Sequence, residues 1–336
     1  MVRRGEGARV RGCDGTRVRG FGAAIALALL FLACSSSAKQ PLPMSHAPSN
    51  QSPVAPSTPR TIAPSSSFDA KRAWTHLQRQ VEIGPRPAGS AALNKTRDYI
   101  TAQLKAAGFE SKLQVFIAAT PVGETSMANI IATIPGRRSE RVTLASHFDT
   151  KRFQDIRFVG ANDGASSTAT LLELGRVLKA RQNEFTIELL FLDGEEAVIE
   201  WQGTDHTYGS RHYVQAAQKA GDLGRIKALV LLDMIGDSNL VIRRDSNSTP
   251  WLVEVIWAAA GRLGHRAVFS NELTSIEDDH IPFLRAGVPA VDVIDLDNPT
   301  WHTAKDTLEY VSERSLQIVG DVILAALPDI EARVAK

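Results

Sequence analysis

The sequence predicts an α/β fold, a single domain in which a central mixed, mainly parallel β-sheet is flanked by helices on both faces. Short apolar runs alternate with segments of helical periodicity over most of the chain, and such alternation is typical of this class. The apolar runs are continuous, as expected for strands that are buried on both sides. A composition of 43% hydrophobic and 22% charged residues is that of a globular protein and excludes disordered and collagen-like chains.

The predicted elements follow one another in a regular order. Apolar residues at near-helical spacing from Phe68 to Val81 predict a first helix, which Gly84-Pro85 ends. Ser90 caps a second helix that ends at Gly108. Strands are then predicted at 113–117, 128–134, 142–145, 187–192, 228–232 and 290–294, and helices at about 164–180, 208–219, 250–262, 279–286 and 312–327.

The N-terminal part of the chain has the layout of an export signal. Six arginines precede the apolar run 21–33, which is shorter than the roughly 20 residues that span a bilayer. We expect residues 1–34 to be a signal peptide of lipoprotein type, with Cys34 lipidated and the protein held in a bacterial periplasm or outer membrane. An ordinary signal peptide cut nearby, or a start codon placed too far upstream, are alternatives. Residues 35–67 are expected to be a disordered Pro/Ser-rich tether, and 68–336 the catalytic domain.

Cysteine chemistry is excluded from the predicted domain. Cys13 and Cys34 are the only cysteines, and both lie in the leader. The domain therefore has no internal disulfide and no cysteine nucleophile, and any metal must be held by His, Asp and Glu. A formal charge of +1 without a basic cluster in the domain argues against a nucleic-acid partner.

Acidic residues and histidines recur where the predicted strands end. In parallel sheets these ends meet at one edge, where the chemistry of α/β enzymes lies. The residues are His147, Asp149, Asp163, Glu195, Glu196, Asp233, Asp278 and His302. One such carboxylate could simply cap the next helix, but several together would repel one another unless a cation or shared protons lay among them. Histidine and carboxylates without sulfur favour a zinc ion in an open, catalytic site.

The adjacent pair Glu195-Glu196 can divide two roles. Neighbouring side chains in a loop can point different ways, so that one binds metal while the other transfers protons to and from substrate. An acidic surface turn is the alternative. The apolar residues before the pair and Trp201 after it favour burial.

The order His147, Asp163, Glu195-Glu196, Asp233, His302 resembles the co-catalytic zinc aminopeptidase superfamily. Longer stretches resemble a narrower family, the animal-type glutaminyl-peptide cyclotransferases. They are SHFDTKRF (146–153), FVGANDGA (158–165), FLDGEEAVIEW (191–201), YGSRH (208–212), LLDMIGD (231–237), EDDHIPFLRAGVP (277–289) and WHTAKDT (301–307). The resemblance covers essentially all of 68–336 and implies a zinc aminopeptidase-like fold.

The resemblance implies one zinc ion per chain, held by Asp163, Glu196 and His302. His147 is a ligand in the two-zinc relatives but is not implied to bind metal in this family. Many animal members have a disulfide near the metal, which this chain cannot form. A purely structural role for His302, as a histidine of the core, is the alternative.

The resemblance also implies roles for the residues around the metal. Glu195 is the implied proton shuttle, and Asp233 and Asp278 form an acidic network that supports it. Trp201 and Trp301 are implied to line the substrate pocket. Trp201 could instead be a packing residue of the core, and Asp278 could be only a helix cap.

The implied activity is conversion of N-terminal glutamine to pyroglutamate with release of ammonia, zinc acting as Lewis acid. The alternatives are a two-zinc aminopeptidase that releases N-terminal residues and a non-catalytic envelope binding module. The expected partners are peptides or proteins with N-terminal Gln, with no nucleic acid, membrane contact only through Cys34, and a monomeric chain. His212 and His280 are expected to be structural, and Lys151 and Arg152 to be surface charges.

Overall fold

A computed structural model describes residues 67–336. The predicted signal peptide, and all but the last residue of the predicted tether, lie outside the described residues. Among residues 67–336, no helix combines the length and the apolar content that crossing a membrane requires.

The helices of this part are α1 (Ala70–Ile83), α2 (Ala91–Ala106), α3 (Ala165–Lys179), α4 (Tyr208–Lys219), α5 (Pro250–Arg262), α6 (His280–Arg285) and α7 (Glu313–Val334). Its strands are β1 (Ser111–Thr120), β2 (Gly123–Ile134), β3 (Arg138–His147), β4 (Phe185–Leu192), β5 (Ile226–Asp233), β6 (Ile242–Asp245), β7 (Phe269–Thr274) and β8 (Ala290–Ile294).

The central sheet of the described residues has six strands in the order β1-β2-β4-β3-β5-β8. Strand β3 is parallel to both β4 and β5, and β5 is parallel to β8. Strands β1 and β2 form an antiparallel hairpin, which joins the parallel strands through antiparallel pairing of β2 with β4. The predicted mixed, mainly parallel sheet is confirmed. The carboxyl ends of β3, β4, β5 and β8 consequently share one edge.

Each face of the sheet is covered by its own helices. Leu229 and Leu231 of β5 pack with Tyr213 of α4 and Phe283 of α6. Val230 points the opposite way, as alternation along a strand requires, into the larger core beneath α1, α3, α5 and α7. Because both faces are buried, these strands are apolar at nearly every position, which explains the continuous runs in the sequence.

Each predicted helix and strand is present, although β2 and β3 begin five and four residues before the predicted starts, and two further differences are larger. Strands β6 and β7 form a small parallel sheet that was not predicted. Their sequences, IRRD and FSNELT, are short and largely polar, so hydrophobic periodicity gives no signal for them. Helix α7 continues through Pro328 to Val334 instead of ending at 327.

Candidate metal centre and active site

The candidate residues meet at the carboxyl edge of the parallel strands, as the sequence predicts. His147 is the last residue of β3, and Asp233 is the last residue of β5. Glu195 and Glu196 lie in the loop that follows β4. Asp163 directly precedes the Gly164 cap of α3. Each side chain is thus positioned by a buried element whose own place in the core is fixed by apolar packing.

Asp163, Glu196 and His302 form a group that we call the outer set. His302 Nε2 lies 3.0 Å from Glu196 Oε1 and 3.4 Å from Asp163 Oδ2. One ligand atom from each residue lies within 4.8 Å of the others, so one ion can reach all three. The backbone of His302, in the loop after β8, is left-handed with a φ of 54°. Such a conformation is costly for a non-glycine residue and is typical of functional positions.

His147, Asp163 and Asp233 form a second group, the inner set, which shares Asp163 with the first. His147 Nε2 lies 3.0 Å from Asp233 Oδ1 and 3.2 Å from Asp163 Oδ1. All three residues are buried, and their ligand atoms also lie within 4.8 Å of one another. The structure therefore brings His147 into a group that could hold a metal.

The chemistry of the outer set fits a divalent metal. Asp163 Oδ2 is buried, and within residues 67–336 its nearest donor, His302 Nε2 at 3.4 Å, is not aligned to form a hydrogen bond with it. A buried carboxylate oxygen without a partner is costly, and a bound cation would satisfy it. One imidazole and two carboxylates are ligands that zinc accepts while a further position stays open for substrate.

The same carboxylates favour positive charge at this place. Burial by itself would lower the pKa of His302, but the adjacent carboxylates of Asp163 and Glu196 raise that pKa to about 10. Burial, together with the charge of Asp163, raises the pKa of Glu196 to about 7. Burial would also raise the pKa of Asp163, but the adjacent imidazoles of His147 and His302 hold it below its ordinary value. These pKa shifts indicate that positive charge is favoured at this place, and a metal ion would supply it.

Glu195 is buried beside these sets without belonging to either. Its Oε2 lies 3.7 Å from His147 Nδ1. Burial raises the pKa of Glu195 well above its ordinary range, and the neighbouring carboxylates of Asp278 and Glu196 add to the effect. Burial likewise raises the pKa of Asp233 to about 6. The predicted burial of the Glu195-Glu196 pair is confirmed, and an acidic surface turn is excluded.

Asp278 is buried in the segment that leads into α6. Its Oδ1 accepts the backbone N–H of the next residue, Asp279, and its Oδ2 has no hydrogen-bond partner within residues 67–336. The N-cap position of α6 is occupied by Asp279. A role for Asp278 as the cap of this helix is therefore not supported, and one of its oxygens is free to act toward the cavity that it lines.

Asp149 has a role that the sequence did not assign. Its Oδ1 accepts the backbone N–H of Glu195 at 3.1 Å, and its Oδ2 accepts that of Glu196 at 3.2 Å. The side chain is fully buried. It holds the backbone of both glutamates, whose side chains contact different histidines, His147 and His302. Its position after β3 was the only signal for it in the sequence.

A cavity of about 510 Å³ opens beside the outer set. Trp201 and Trp301 line it, as the resemblance implied. Trp201 is half-buried and stacks on His206 with ring centroids 4.2 Å apart. Trp301 is 42% exposed and stacks on His302 at 4.5 Å. Neither indole is a core residue.

The expectation that Lys151 is a surface charge is wrong. Lys151 is half-buried, lines the cavity, and donates to the carbonyl oxygen of Ala197 at 2.7 Å. Its proximity to this carbonyl depends on tertiary packing, which local sequence does not reveal. Arg152 is exposed, as expected. His212 and His280 pack within the protein and do not line the cavity.

Comparison with known proteins identifies the family. Residues 129–327 match the profile of peptidase family M28. Over 270 residues the chain is 34% identical to a glutaminyl-peptide cyclotransferase-like protein of Mus musculus, covering 71% of this chain and 70% of the mouse protein. A crystal structure of a glutaminyl cyclase from an Acidobacteriales bacterium is 39% identical with a TM-score of 0.78, covering 83% of this chain and 100% of that one. A leucine aminopeptidase precursor from Bacteroides thetaiotaomicron is also similar, at 27% identity and a TM-score of 0.73, covering 79% of this chain and 99% of that one. The chain belongs to peptidase family M28 and, within it, to the glutaminyl-peptide cyclotransferases.

Proposed function

We propose that this chain converts the N-terminal glutamine of peptides to pyroglutamate and releases ammonia. The observation that carries the proposal is the position of Glu195. It is a buried carboxyl outside the outer set, next to one of its members, in a cavity lined by Trp201 and Trp301. The similarity to glutaminyl cyclases supports the same activity.

The reaction is intramolecular, so the enzyme has to orient the N-terminal glutamine and transfer a proton rather than bring in a second reactant. The α-amine nitrogen attacks the amide carbon of its own side chain, so a C–N bond forms and closes a five-membered ring. The bond from that carbon to the amide nitrogen breaks, and this nitrogen leaves as ammonia with the proton that the amine loses. Because both reacting groups belong to one residue, the substrate supplies proximity, and no water is consumed.

The side chains of the cavity have matching roles. Glu195 takes the proton from the amine and returns it to the leaving nitrogen. Asp233 and Asp278 lie on the same cavity wall and orient the groups that exchange this proton. Trp201 and Trp301 pack against the glutamine side chain and keep water from it.

We assign Asp163, Glu196 and His302 as the ligands of one zinc ion. When bound, zinc supplies a Lewis acid that polarises a carbonyl oxygen and favours negative charge on it. Asp149 holds the backbone of Glu196 through its N–H and thereby orients a ligand.

The inner set favours one alternative, a two-metal aminopeptidase. His147, Asp163 and Asp233 could hold a second ion, and a similar structure is named a leucine aminopeptidase precursor. Such an enzyme consumes water and releases a free amino acid, so the two activities give different products from one substrate.

Mass spectrometry of a Gln-Ala-Ala peptide incubated with the protein and zinc tests the proposal. Cyclisation lowers the peptide mass by the mass of ammonia, and the Glu195→Gln variant should lose this reaction. Release of free glutamine would establish the aminopeptidase instead. An unchanged peptide, with zinc bound, would indicate a binding module.

We propose that residues 1–34 direct export, that Cys34 carries a lipid, and that 35–67 tether the domain at a bacterial cell envelope. We also propose that the enzyme acts as a monomer on peptides or proteins with N-terminal Gln. Labelling of expressed protein with a radioactive fatty acid, with and without Cys34→Ala, tests the anchor.

A further inference from the structure

Arg86 is a fully buried arginine between α1 and α2 to which the reaction assigns no role. Its Nε donates to the carbonyl oxygen of Phe148 at 2.9 Å. Its Nη1 donates to the carbonyl of Val159 at 2.5 Å, and its Nη2 to that of Gly160 at 2.9 Å. The three acceptors lie at the start and near the end of the long segment that runs from β3 to Asp163. One side chain therefore ties both ends of that segment together.

The partners of Arg86 are unusual for a buried cation. Its side-chain hydrogen bonds within residues 67–336 go only to backbone carbonyls, although buried charges are usually paired with carboxylates. Burial lowers the pKa of Arg86 to about 10, and the anions that oppose this effect are Asp163, Asp306 and Asp149. Burying a cation without a direct ion pair costs free energy of folding. The buried guanidinium of Arg86 therefore indicates a role other than stabilising the fold.

The guanidinium lies directly against the backbone that carries Asp163. A methyl group added at Gly164 would lie 3.3 Å from Arg86 Nη2, and one at Gly160 would lie 3.5 Å from it. These glycines flank the ligand on both sides, and both have left-handed backbones. A methyl group at Gly160 would also lie 2.3 Å from the carbonyl oxygen of Asp163, so the turn is packed tightly on this side as well.

Asp306 holds the same turn from its amide side. Its Oδ1 accepts the N–H of Asn162 at 2.7 Å, and its Oδ2 accepts the N–H of Asp163 at 3.1 Å. Asp306 lies four residues after His302, so it also connects the two loops that carry these ligands. Arg86 thus holds the turn at Asp163 through its backbone carbonyls, and Asp306 holds it through its backbone amides.

We propose that Arg86 is a positioning residue that, together with Asp306, holds Asp163 in place for metal binding. The inference rests on the metal site assigned under the proposed function, but not on the reaction. Groups that orient a metal ligand typically contribute about 10- to 100-fold to metal affinity. In a domain that can form no disulfide, this pair supplies the rigidity of the ligand loop.

The test compares Arg86→Met with Arg141→Met by titrating zinc against a competing chromogenic chelator. Arg141 is the matched control, because it is also largely buried but pairs with Asp222 and Glu188 at the opposite end of β3. Both variants should have a lower melting temperature. Only Arg86→Met should weaken zinc binding, by about 10- to 100-fold. A zinc Kd within twofold of the wild type in folded Arg86→Met would overturn the inference.

Two further variants cover the case in which Arg86→Met does not fold. Arg86→Lys keeps the charge but cannot donate to all three carbonyls, so its zinc Kd should rise by less. Asp306→Asn keeps the shape of the side chain but has one acceptor oxygen for the two backbone amides instead of two. Its zinc Kd should therefore also rise. Unchanged affinity in both variants would contradict the proposal. A wild-type protein that binds no zinc would refute both the metal site and this inference. Wild-type zinc affinity in the variants would refute only this inference, and the proposed cyclisation would still stand.

Discussion

The outer and inner sets share Asp163 but differ in their access to the cavity. The side chain of His302 in the outer set is 26% exposed, whereas that of His147 in the inner set is 2% exposed. Asp163, Glu196 and His302 all line the cavity, so a substrate atom can approach an ion held there. His147 does not line it.

This difference shows how one arrangement of residues can serve two chemistries. An ion held by the outer set would border the cavity and could meet substrate there, as a catalytic metal must. In the inner set, His147 Nε2 lies between Asp163 and Asp233 and forms a hydrogen bond with Asp233 at 3.0 Å. Whether the inner set also takes a metal decides between one-metal and two-metal chemistry.

The largest effect is expected at the Glu195-Glu196 pair. Glu196 belongs to the outer set, and its neighbour Glu195 belongs to neither set. Glu195→Gln should lower kcat by about 10²- to 10⁴-fold, the usual contribution of general acid–base catalysis, and leave zinc bound. Glu196→Gln should weaken zinc binding itself, because a neutral amide is a poorer ligand than a carboxylate. Zinc content and kcat are measured on both proteins. Equal zinc content and equal rates in the two variants would show that the pair does not divide these roles.

A smaller effect is expected at His147, in the inner set. The wild type should bind one tight equivalent of zinc, and His147→Gln should bind the same number. Its zinc Kd should rise by about 10-fold or less, because His147 contacts the ligand Asp163 without contributing to the outer set. Metal analysis and zinc titration measure both quantities. Two tight equivalents in the wild type, with activity that follows the second, would establish the inner set as a metal site.

The sequence predicted the outer set more completely than the groups that hold it. Glu196 follows β4, Asp163 precedes α3 and His302 lies in the loop after β8, so all three fall at the edge where the parallel topology brings polar residues together. The contacts of Arg86 could not be predicted in this way, because they join residues 62 to 74 positions apart in the chain. Lys151 was misjudged for the same reason, since its partner Ala197 is 46 positions away. Local pattern predicts which element carries a residue, but only tertiary packing determines which carbonyl or amide it meets.

Trp201 tests whether the cavity beside the outer set is the substrate pocket. Trp201→Ala should lower kcat/KM strongly while the free energy of unfolding falls by less than the roughly 3–5 kcal/mol that a buried tryptophan costs on truncation. The reason is that Trp201 is half-buried and stacks mainly on His206. Chemical denaturation and steady-state kinetics on Gln peptides measure the two effects. A large loss of stability with normal kinetics in the remaining folded protein would exclude the pocket role.

The smallest effect is expected at the rim of the cavity, on the open side of the outer set. Glu200 and Glu277 are exposed there, and Lys151, the only lysine or arginine that lines the cavity within residues 67–336, donates to the carbonyl oxygen of Ala197. A peptide whose second residue is Lys should therefore have a higher kcat/KM than one with Glu, by about two- to fivefold, as expected for exposed charges. Glu200→Gln should reduce this ratio, whereas Glu110→Gln, away from the cavity, should not. The preference should also weaken with added salt, since screening acts within about 8 Å at physiological ionic strength. An equal kcat/KM for the two peptides would show that the peptide leaves the cavity by a path that avoids these carboxylates.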